Sequence, residues 1–291
     1  MNKRKTIIAV ILVVVVGVGL LSLLPQEPTY QGRSLESWVD DVDKNPHDQA
    51  AVDGLHKLLP VALPYYVKQL KKRDTALAKA YEAIWSKLPE IIASHLPKGL
   101  PADTIRLNAI LILKYVGSDA RAAAPDLIQA FKDEDEGVRQ CAVESFAQIK
   151  PDGRTAIPAL IAALADPFIG VRRMAAESLL VYGSEASAAV PALTLALHDP
   201  DKSVCACSAG ALWHINRQTN AVMDALNVSM KDKNPGARAL AAMYYGHVGP
   251  AAESAVPSLV AALKDFKDVR EQAEEALKKI NPQAAAAAGV R

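Results

Sequence analysis

The chain has 291 residues, with 33 Lys or Arg against 32 Asp or Glu, which gives a formal net charge of +1. Proteins that bind nucleic acid carry a clustered excess of basic residues, so we expect no nucleic-acid partner. The three cysteines do not form a disulfide framework, because Cys205 and Cys207 project roughly 200° apart on a predicted helix.

The first predicted element is a membrane anchor. A basic segment, residues 3–5, precedes an uncharged apolar run from Ile7 to Leu24. About 18 residues is near the lower limit for a spanning helix and long for a signal-peptide core, and no Ala-x-Ala cleavage site follows. We expect an uncleaved signal anchor at residues 6–24, with residues 1–5 cytoplasmic. A cleaved signal peptide is the alternative.

The anchor and the following segment predict where the rest of the chain lies. Residues 25–33 are polar and contain two prolines, which indicates a short tether without a packing pattern. The repeats beyond it would face the periplasm or the exterior of a bacterial cell, held at the inner membrane by residues 6–24.

A helix pair follows the tether. Ser34 has the character of an N-cap, and an apolar stripe typical of one helix face comes directly after it. The stripe comprises Leu35, Trp38, Val39 and Val42, and Leu55, Leu58 and Leu59 mark a partner helix. We interpret this pair as the N-terminal cap of a repeat array, with two degenerate units between residues 61 and 116.

Repeats with a period of 33 residues organise the remainder of the chain. Four prolines recur at this spacing, and Asp224 occupies the remaining equivalent position. An aspartate stands eight residues after each of these five positions. The positions are Pro125, Pro158, Pro191 and Pro257, and Asp133, Asp166, Asp199, Asp232 and Asp265. A fixed period of this length indicates stacked supersecondary units.

Each unit reads as a helical hairpin. In one unit, Ile157, Leu160, Ile161 and Leu164 follow the i, i+3, i+4, i+7 pattern of one helix face. Proline suits the first turn of that helix, where its missing N–H needs no partner. The second helix opens with Val-Arg and carries a small residue three positions later, which permits close helix approach. One hairpin cannot bury its stripe alone, so neighbouring units must stack.

The pattern P-x-L-x-x-x-L-x-D, followed by V-R and an alanine-rich helix, resembles short HEAT repeats of the kind also found in bilin lyases. The ankyrin and tetratricopeptide signatures are absent. The resemblance implies an all-α, right-handed α-solenoid of about seven units plus the cap at residues 34–281, preceded by one transmembrane helix and followed by an Ala-rich tail at residues 282–291. It also implies a structural ladder of aligned aspartates and arginines between neighbouring turns. Its members would be Asp133, Arg139, Asp166, Arg172, Asp232, Arg238, Asp265 and Arg270.

No catalytic motif stands out: the chain lacks G-x-S-x-G, a P-loop, H-E-x-x-H and C-x-x-C. We therefore expect a non-catalytic scaffold that binds another protein, with no cofactor and no metal. The resemblance leaves one alternative, a lyase or lyase accessory of the bilin-lyase type that binds an apolar small molecule.

The fifth and sixth units depart most from the repeat pattern, and Cys205 replaces the ladder arginine there. Large or aromatic residues stand on their second helices where other units carry charged, polar or small residues. They are Trp213, His214, Met243, Tyr244 and His247. Because second helices line one continuous face of a solenoid, we expect these side chains to be exposed there as a concave binding face. Two histidines alone are too few ligands for a metal site.

Overall fold

The computed structural model describes residues 27–45, 48–76, 83, 85, 101–217 and 219–290. The anchor predicted at residues 6–24 lies outside this part of the chain. None of the helices within it is both long enough and apolar enough to cross a membrane. The chain divides into two compact units, Met1–Val116 and Gly117–Arg291. The predicted domain boundaries and the right-handedness of the solenoid stay predictions.

The first unit begins with a small β-hairpin in the segment expected to be an unpatterned tether. Strand β1 (Thr29–Tyr30) pairs antiparallel with β2 (Arg33–Ser34). Gln31 and Gly32 both have positive φ, 53° and 74°, as the central residues of the tightest hairpin turns require. The indole Nε1 of Trp38 donates to the Tyr30 carbonyl at 3.3 Å, which ties the hairpin to the next helix. The expectation of a tether without packing was therefore wrong for residues 29–33.

In the described part of the first unit, three helices follow whose bounds the structure gives: α1 (Leu35–Lys44), α2 (Gln49–Gln69) and α3 (Ala102–Val116). The predicted N-cap is confirmed, since the Ser34 side chain accepts a hydrogen bond from the Ser37 N–H. The Trp38 ring packs against Gly54 of α2, where a Cβ would lie 2.7 Å from the ring. Helix α2 continues through Pro60 and Pro64, so the cap helix does not end near residue 61 as expected.

The second unit consists of five helical hairpins. The first helices are α4 (Ala124–Ala130), α6 (Gly153–Ala163), α8 (Val190–Ala196), α10 (Thr219–Ser229) and α12 (Val256–Ala262). The second helices are α5 (Glu136–Ile149), α7 (Ile169–Leu180), α9 (Lys202–Asn216), α11 (Pro235–Val248) and α13 (Lys267–Ile280), and α14 (Pro282–Ala287) follows. Each second helix packs against the next, and their large apolar residues form the core. This is the expected all-α solenoid of helical repeats.

Two alternating kinds of connection lead into the first helices of the second unit. Gly117, Gly183 and Gly249, spaced by 66 residues, have positive φ, and each begins a short 3₁₀ helix that leads into a seven-residue first helix. Lys150 and Arg217 take the left-handed conformation at the other two connections, which lead into first helices of 11 residues. The structural period is therefore twice the sequence period.

The ladder joins adjacent turns of the second unit. Arg139 donates from Nε to Asp166 at 2.9 Å, Arg172 to Asp199 at 2.8 Å, and Arg238 to Asp265 at 2.7 Å. In each rung Nη2 binds the second carboxylate oxygen, while Nη1 donates to the carbonyl of the aspartate in the arginine's own turn. The carboxylate partner thus comes from the following unit. Asp133 and Asp232 take part in the ladder through their backbone carbonyls, which accept from Arg139 and Arg238. Among the residues that the structure describes, Arg270 contacts no aspartate of the ladder; its Nε lies 3.9 Å from the Glu274 carboxylate, within the same helix.

One position in the ladder has no arginine. At Cys205, the thiol donates to the Asp199 carbonyl at 3.1 Å, and the Lys202 ammonium donates to the same oxygen at 2.9 Å. Neither reaches the following turn as an arginine does. Within the described chain, the Asp232 carboxylate accepts only the Asn234 N–H, at 2.8 Å. The turns at Asp199 and Asp232 are therefore not joined by a charged rung.

Candidate binding surfaces

The aromatic cluster of the fifth and sixth units is largely internal. Tyr244 is 2% exposed and Trp213 is 9% exposed, so the expectation that these two rings lie on the surface was wrong. The physical reason is that the residue opposite has no side chain. Tyr244 packs over Gly210, where a Cβ would lie 2.2 Å from the ring. The Trp213 Nε1 donates to the His247 carbonyl at 3.0 Å. Both residues join α9 to α11.

Two polar groups lie near Tyr244, the buried Cys207 thiol and the half-buried Glu177 carboxylate. The Cys207 thiol donates to the Glu177 carboxylate at 3.2 Å, which links α9 to α7. Burial, followed by the nearby Glu177 charge, raises the pKa of Cys207 well above its ordinary value. Burial likewise raises the pKa of Tyr244. Both groups therefore stay protonated at neutral pH, and neither provides an anionic nucleophile.

His214, Met243 and His247 are the accessible members of the predicted site. His247 is exposed, and the other two are half-buried. The imidazole centroids of His214 and His247 lie 5.5 Å apart in an edge-to-face arrangement. Partial burial of the imidazole lowers the pKa of each ring, and for His247 the neighbouring His214 and Lys279 lower it further. The rings are therefore neutral at pH 7. Their possible role in binding stays a prediction.

The first unit contains an open cavity that the sequence did not predict. Its volume is about 910 Å³, and it lies between α1, the end of α2 and α3. Leu111 and Tyr115 line it from α3 and remain 39% and 62% exposed. Tyr65, Tyr66 and Gln69 line it from α2. We call this the α1/α3 cavity.

Among the described residues, three carboxylates, from Glu27, Glu36 and Asp40, line the α1/α3 cavity with a single ammonium from Lys72. The Tyr66 hydroxyl donates to Glu27. Burial, and then this hydrogen bond, raises the pKa of Tyr66, so the phenol stays neutral beside the carboxylate. The cavity therefore offers excess negative charge beside aromatic and aliphatic surface.

The cavity residues of α3 stand at the same repeat positions as the residues predicted to form the binding face. Leu111 and Tyr115 stand 33 residues before Glu144 and Gln148, in the second-helix slots that Met243 and His247 hold later. Large apolar side chains replace polar ones there, which was the signal used to select the fifth and sixth units. The same comparison, applied to the unit ending at Val116, would have found Leu111 and Tyr115.

Comparisons with known proteins agree with the fold. The HEAT-repeat family, described as "HEAT repeats", matches residues 96–181, 127–204 and 190–278. No curated protein matches the chain. The complex of CpcE and CpcF of phycocyanin lyase from Nostoc sp. PCC7120 is similar in structure, with 20% identity, a TM-score of 0.51, and coverage of 91% of this chain and 97% of that chain. An engineered protein is also similar in structure, with 18% identity, a TM-score of 0.47, and coverage of 76% of this chain and 98% of that chain.

Proposed function

This chain belongs to the HEAT-repeat family, and from that premise we propose that it is a non-catalytic scaffold that binds a segment of another protein in the α1/α3 cavity. The exposure of Leu111 and Tyr115 beside the cavity carries the proposal. Exposed aromatic and large aliphatic side chains are enriched at the centres of protein interfaces. The cavity also combines them with charged and amide groups that can orient a partner.

A photo-crosslinking amino acid at position 115, with a second variant at position 111, tests the proposal in the native cell. Both positions are accessible, so the fold is expected to tolerate the change. We expect one saturable adduct with another polypeptide. The matched control carries the same group at Leu195, which is 76% exposed on a first helix of the second unit. Equal labelling from Leu195, or no protein adduct from the cavity positions, would contradict the scaffold function.

Lyase activity of the bilin type is the second candidate, favoured by the fold similarity to the phycocyanin lyase complex. A lyase or lyase accessory would hold an apolar small molecule. The absorption spectrum of protein purified from its native cell, with mass spectrometry of released ligands, distinguishes the two functions. A bound chromophore in stoichiometric amount would favour the lyase and count against the scaffold.

The scaffold would be attached to the cell membrane through residues 6–24, with its repeats outside the cytoplasm. The uncharged apolar sequence from Ile7 to Leu24, preceded by basic residues, supports this placement. Full-length protein should stay in membrane fractions after carbonate washing, and external protease should digest the repeats. Recovery of a soluble chain that begins near Pro25 would refute the anchor.

The accessible residues His214, Met243 and His247 are a second candidate contact surface for a protein partner. Trp213 and Tyr244 would shape this surface from beneath, because their rings are buried. Met243→Ala with His247→Ala should weaken partner capture without lowering the melting temperature much. Unchanged capture would remove these residues from the interface.

A further inference from the structure

We propose that the α1/α3 cavity selects an extended polypeptide segment in which a lysine or arginine alternates with apolar residues. This rests on the proposed function, because it names the chemistry of the partner segment in the same cavity. Three features of the described lining support it: carboxamides that bind no other described residue, more carboxylates than ammonium groups, and accessible aromatic and aliphatic side chains.

The amide groups match a peptide backbone. Gln69 is 7% exposed and lines the cavity, and its carboxamide makes no hydrogen bond to any residue that the structure describes. A carboxamide that lines a cavity without a protein partner is available to hydrogen-bond a ligand there. Asn108 presents a second carboxamide from α3, also without a hydrogen bond among the described residues. An amide both donates and accepts, as does the unpaired backbone of an extended chain.

The carboxylates favour a basic side chain. Glu36 makes no hydrogen bond or ion pair within the described chain, and Asp40 pairs only with Lys44, in a bridge whose two side chains are 59% and 69% exposed. Such an exposed pair is weak and readily exchanged. An acidic ligand would instead meet three carboxylates and one ammonium among the described lining residues. The cavity therefore discriminates by charge.

The rings of the exposed Tyr115 and the half-buried Tyr65 favour the same ligand. Tyr65 and Tyr115 offer aromatic surface to a cation and its aliphatic stem, and Leu111 offers contact to an apolar neighbour. The lining face of α3 runs from Ile105 to Tyr115, a rise of about 15 Å at 1.5 Å per residue. An extended segment of about four to five residues covers that length.

Blocked, fluorescent peptides of about six residues test the proposal by fluorescence anisotropy with the full-length chain in non-ionic detergent. The first peptide alternates lysine with leucine, and two others carry glutamate or glutamine in place of lysine. We expect saturable binding of the lysine peptide, weaker binding of the glutamine peptide and the weakest binding of the glutamate peptide. Equal affinities for lysine and glutamate peptides, or no binding of any, would overturn the proposal.

Two variants link the binding to named groups. Glu36→Gln should weaken binding of the lysine peptide about two- to fivefold. Glu134→Gln, the same change in an exposed turn of the second unit, should leave the peptide affinity unchanged. Gln69→Leu should weaken binding of the lysine peptide about fivefold without lowering the melting temperature, because the Gln69 carboxamide makes no hydrogen bond to a described residue that the substitution would remove. Lower melting with unchanged peptide affinity would show that Gln69 is only structural, and would count against the backbone contact.

The two proposals fail in different ways. If position 115 still crosslinks to a partner but the lysine peptide shows no preference, the scaffold function stands and the basic specificity is wrong. If the lysine peptide binds selectively but position 115 captures no protein in the cell, the cavity chemistry stands and the scaffold function is wrong.

Discussion

The ring of Tyr244 on α11 lies across Gly210 on α9, so closely that a Cβ at position 210 would lie 2.2 Å from both Cδ1 and Cε1. Both residues are buried. The absence of a side chain at Gly210 therefore makes room for an aromatic ring between two neighbouring repeats. This contact explains why the two second helices can approach at a position where another unit carries Glu177.

The close contact predicts the sign of a glycine substitution. In an exposed helix, Gly→Ala stabilises by roughly 0.5–1 kcal/mol, but Gly210→Ala should destabilise by about 1–3 kcal/mol because the ring must move. Chemical denaturation measures the difference. Combining Gly210→Ala with Tyr244→Leu should recover part of the loss, and additive effects of the two changes would contradict the contact.

Removal of the buried ring should be costly. Tyr244→Ala is expected to destabilise by about 3–5 kcal/mol, since the side chain is 2% exposed. Met243→Ala, on the half-buried neighbour, should cost much less. Thermal unfolding of both variants checks this. Similar melting temperatures for the two would mean that the Tyr244 ring is not part of the core.

The fold was predictable because it depends on local periodicity. The 33-residue spacing of prolines and aspartates predicted the helical hairpins, and the N-cap at Ser34 predicted where α1 begins. The burial of Tyr244 was not predictable in the same way, because it depends on Gly210 in another repeat. The α1/α3 cavity depends on how α3 packs against α1 and the end of α2, which no repeat pattern in the sequence specifies.

The ladder predicts unequal effects for equivalent arginines. Arg172→Ala removes two hydrogen bonds to Asp199 from a side chain that is 13% exposed, so it should cost about 1.5–3 kcal/mol. Arg270→Ala, the matched control, removes only a 3.9 Å contact between exposed groups and should cost about 0.5 kcal/mol or less. Urea unfolding of both variants provides the test. Equal losses would show that the rung contributes nothing beyond the helix itself.

The histidine pair predicts acid sensitivity. The pKa values of His214 and His247 lie below the ordinary 6.5, so the folded state favours the neutral rings. Their contribution to stability is complete above pH 6.5 and falls as the pH drops below it, since the unfolded chain takes up protons first. His214→Gln should therefore flatten the loss of unfolding free energy between about pH 7 and pH 5. His198→Gln, an exposed histidine in another unit, is the control, and an unchanged slope in His214→Gln would contradict the prediction.

The last prediction concerns the missing ladder rung at Cys205. Arg139, Arg172 and Arg238 occupy the equivalent slot and bind an aspartate 27 residues later, which for position 205 is Asp232. Cys205→Arg should therefore place a guanidinium against the Asp232 carboxylate and stabilise the fold by about 1 kcal/mol.

A double-mutant cycle decides whether that gain comes from the new rung. Asp232→Ala should cancel the effect of Cys205→Arg while changing the parent protein little, because the Asp232 carboxylate accepts only one backbone N–H within the described residues. Cys205→Lys should stabilise the fold less than Cys205→Arg, since an ammonium cannot bind a carboxylate through two parallel hydrogen bonds. A gain from Cys205→Arg that survives Asp232→Ala would mean that the arginine acts through the Asp199 carbonyl, where Cys205 and Lys202 already donate.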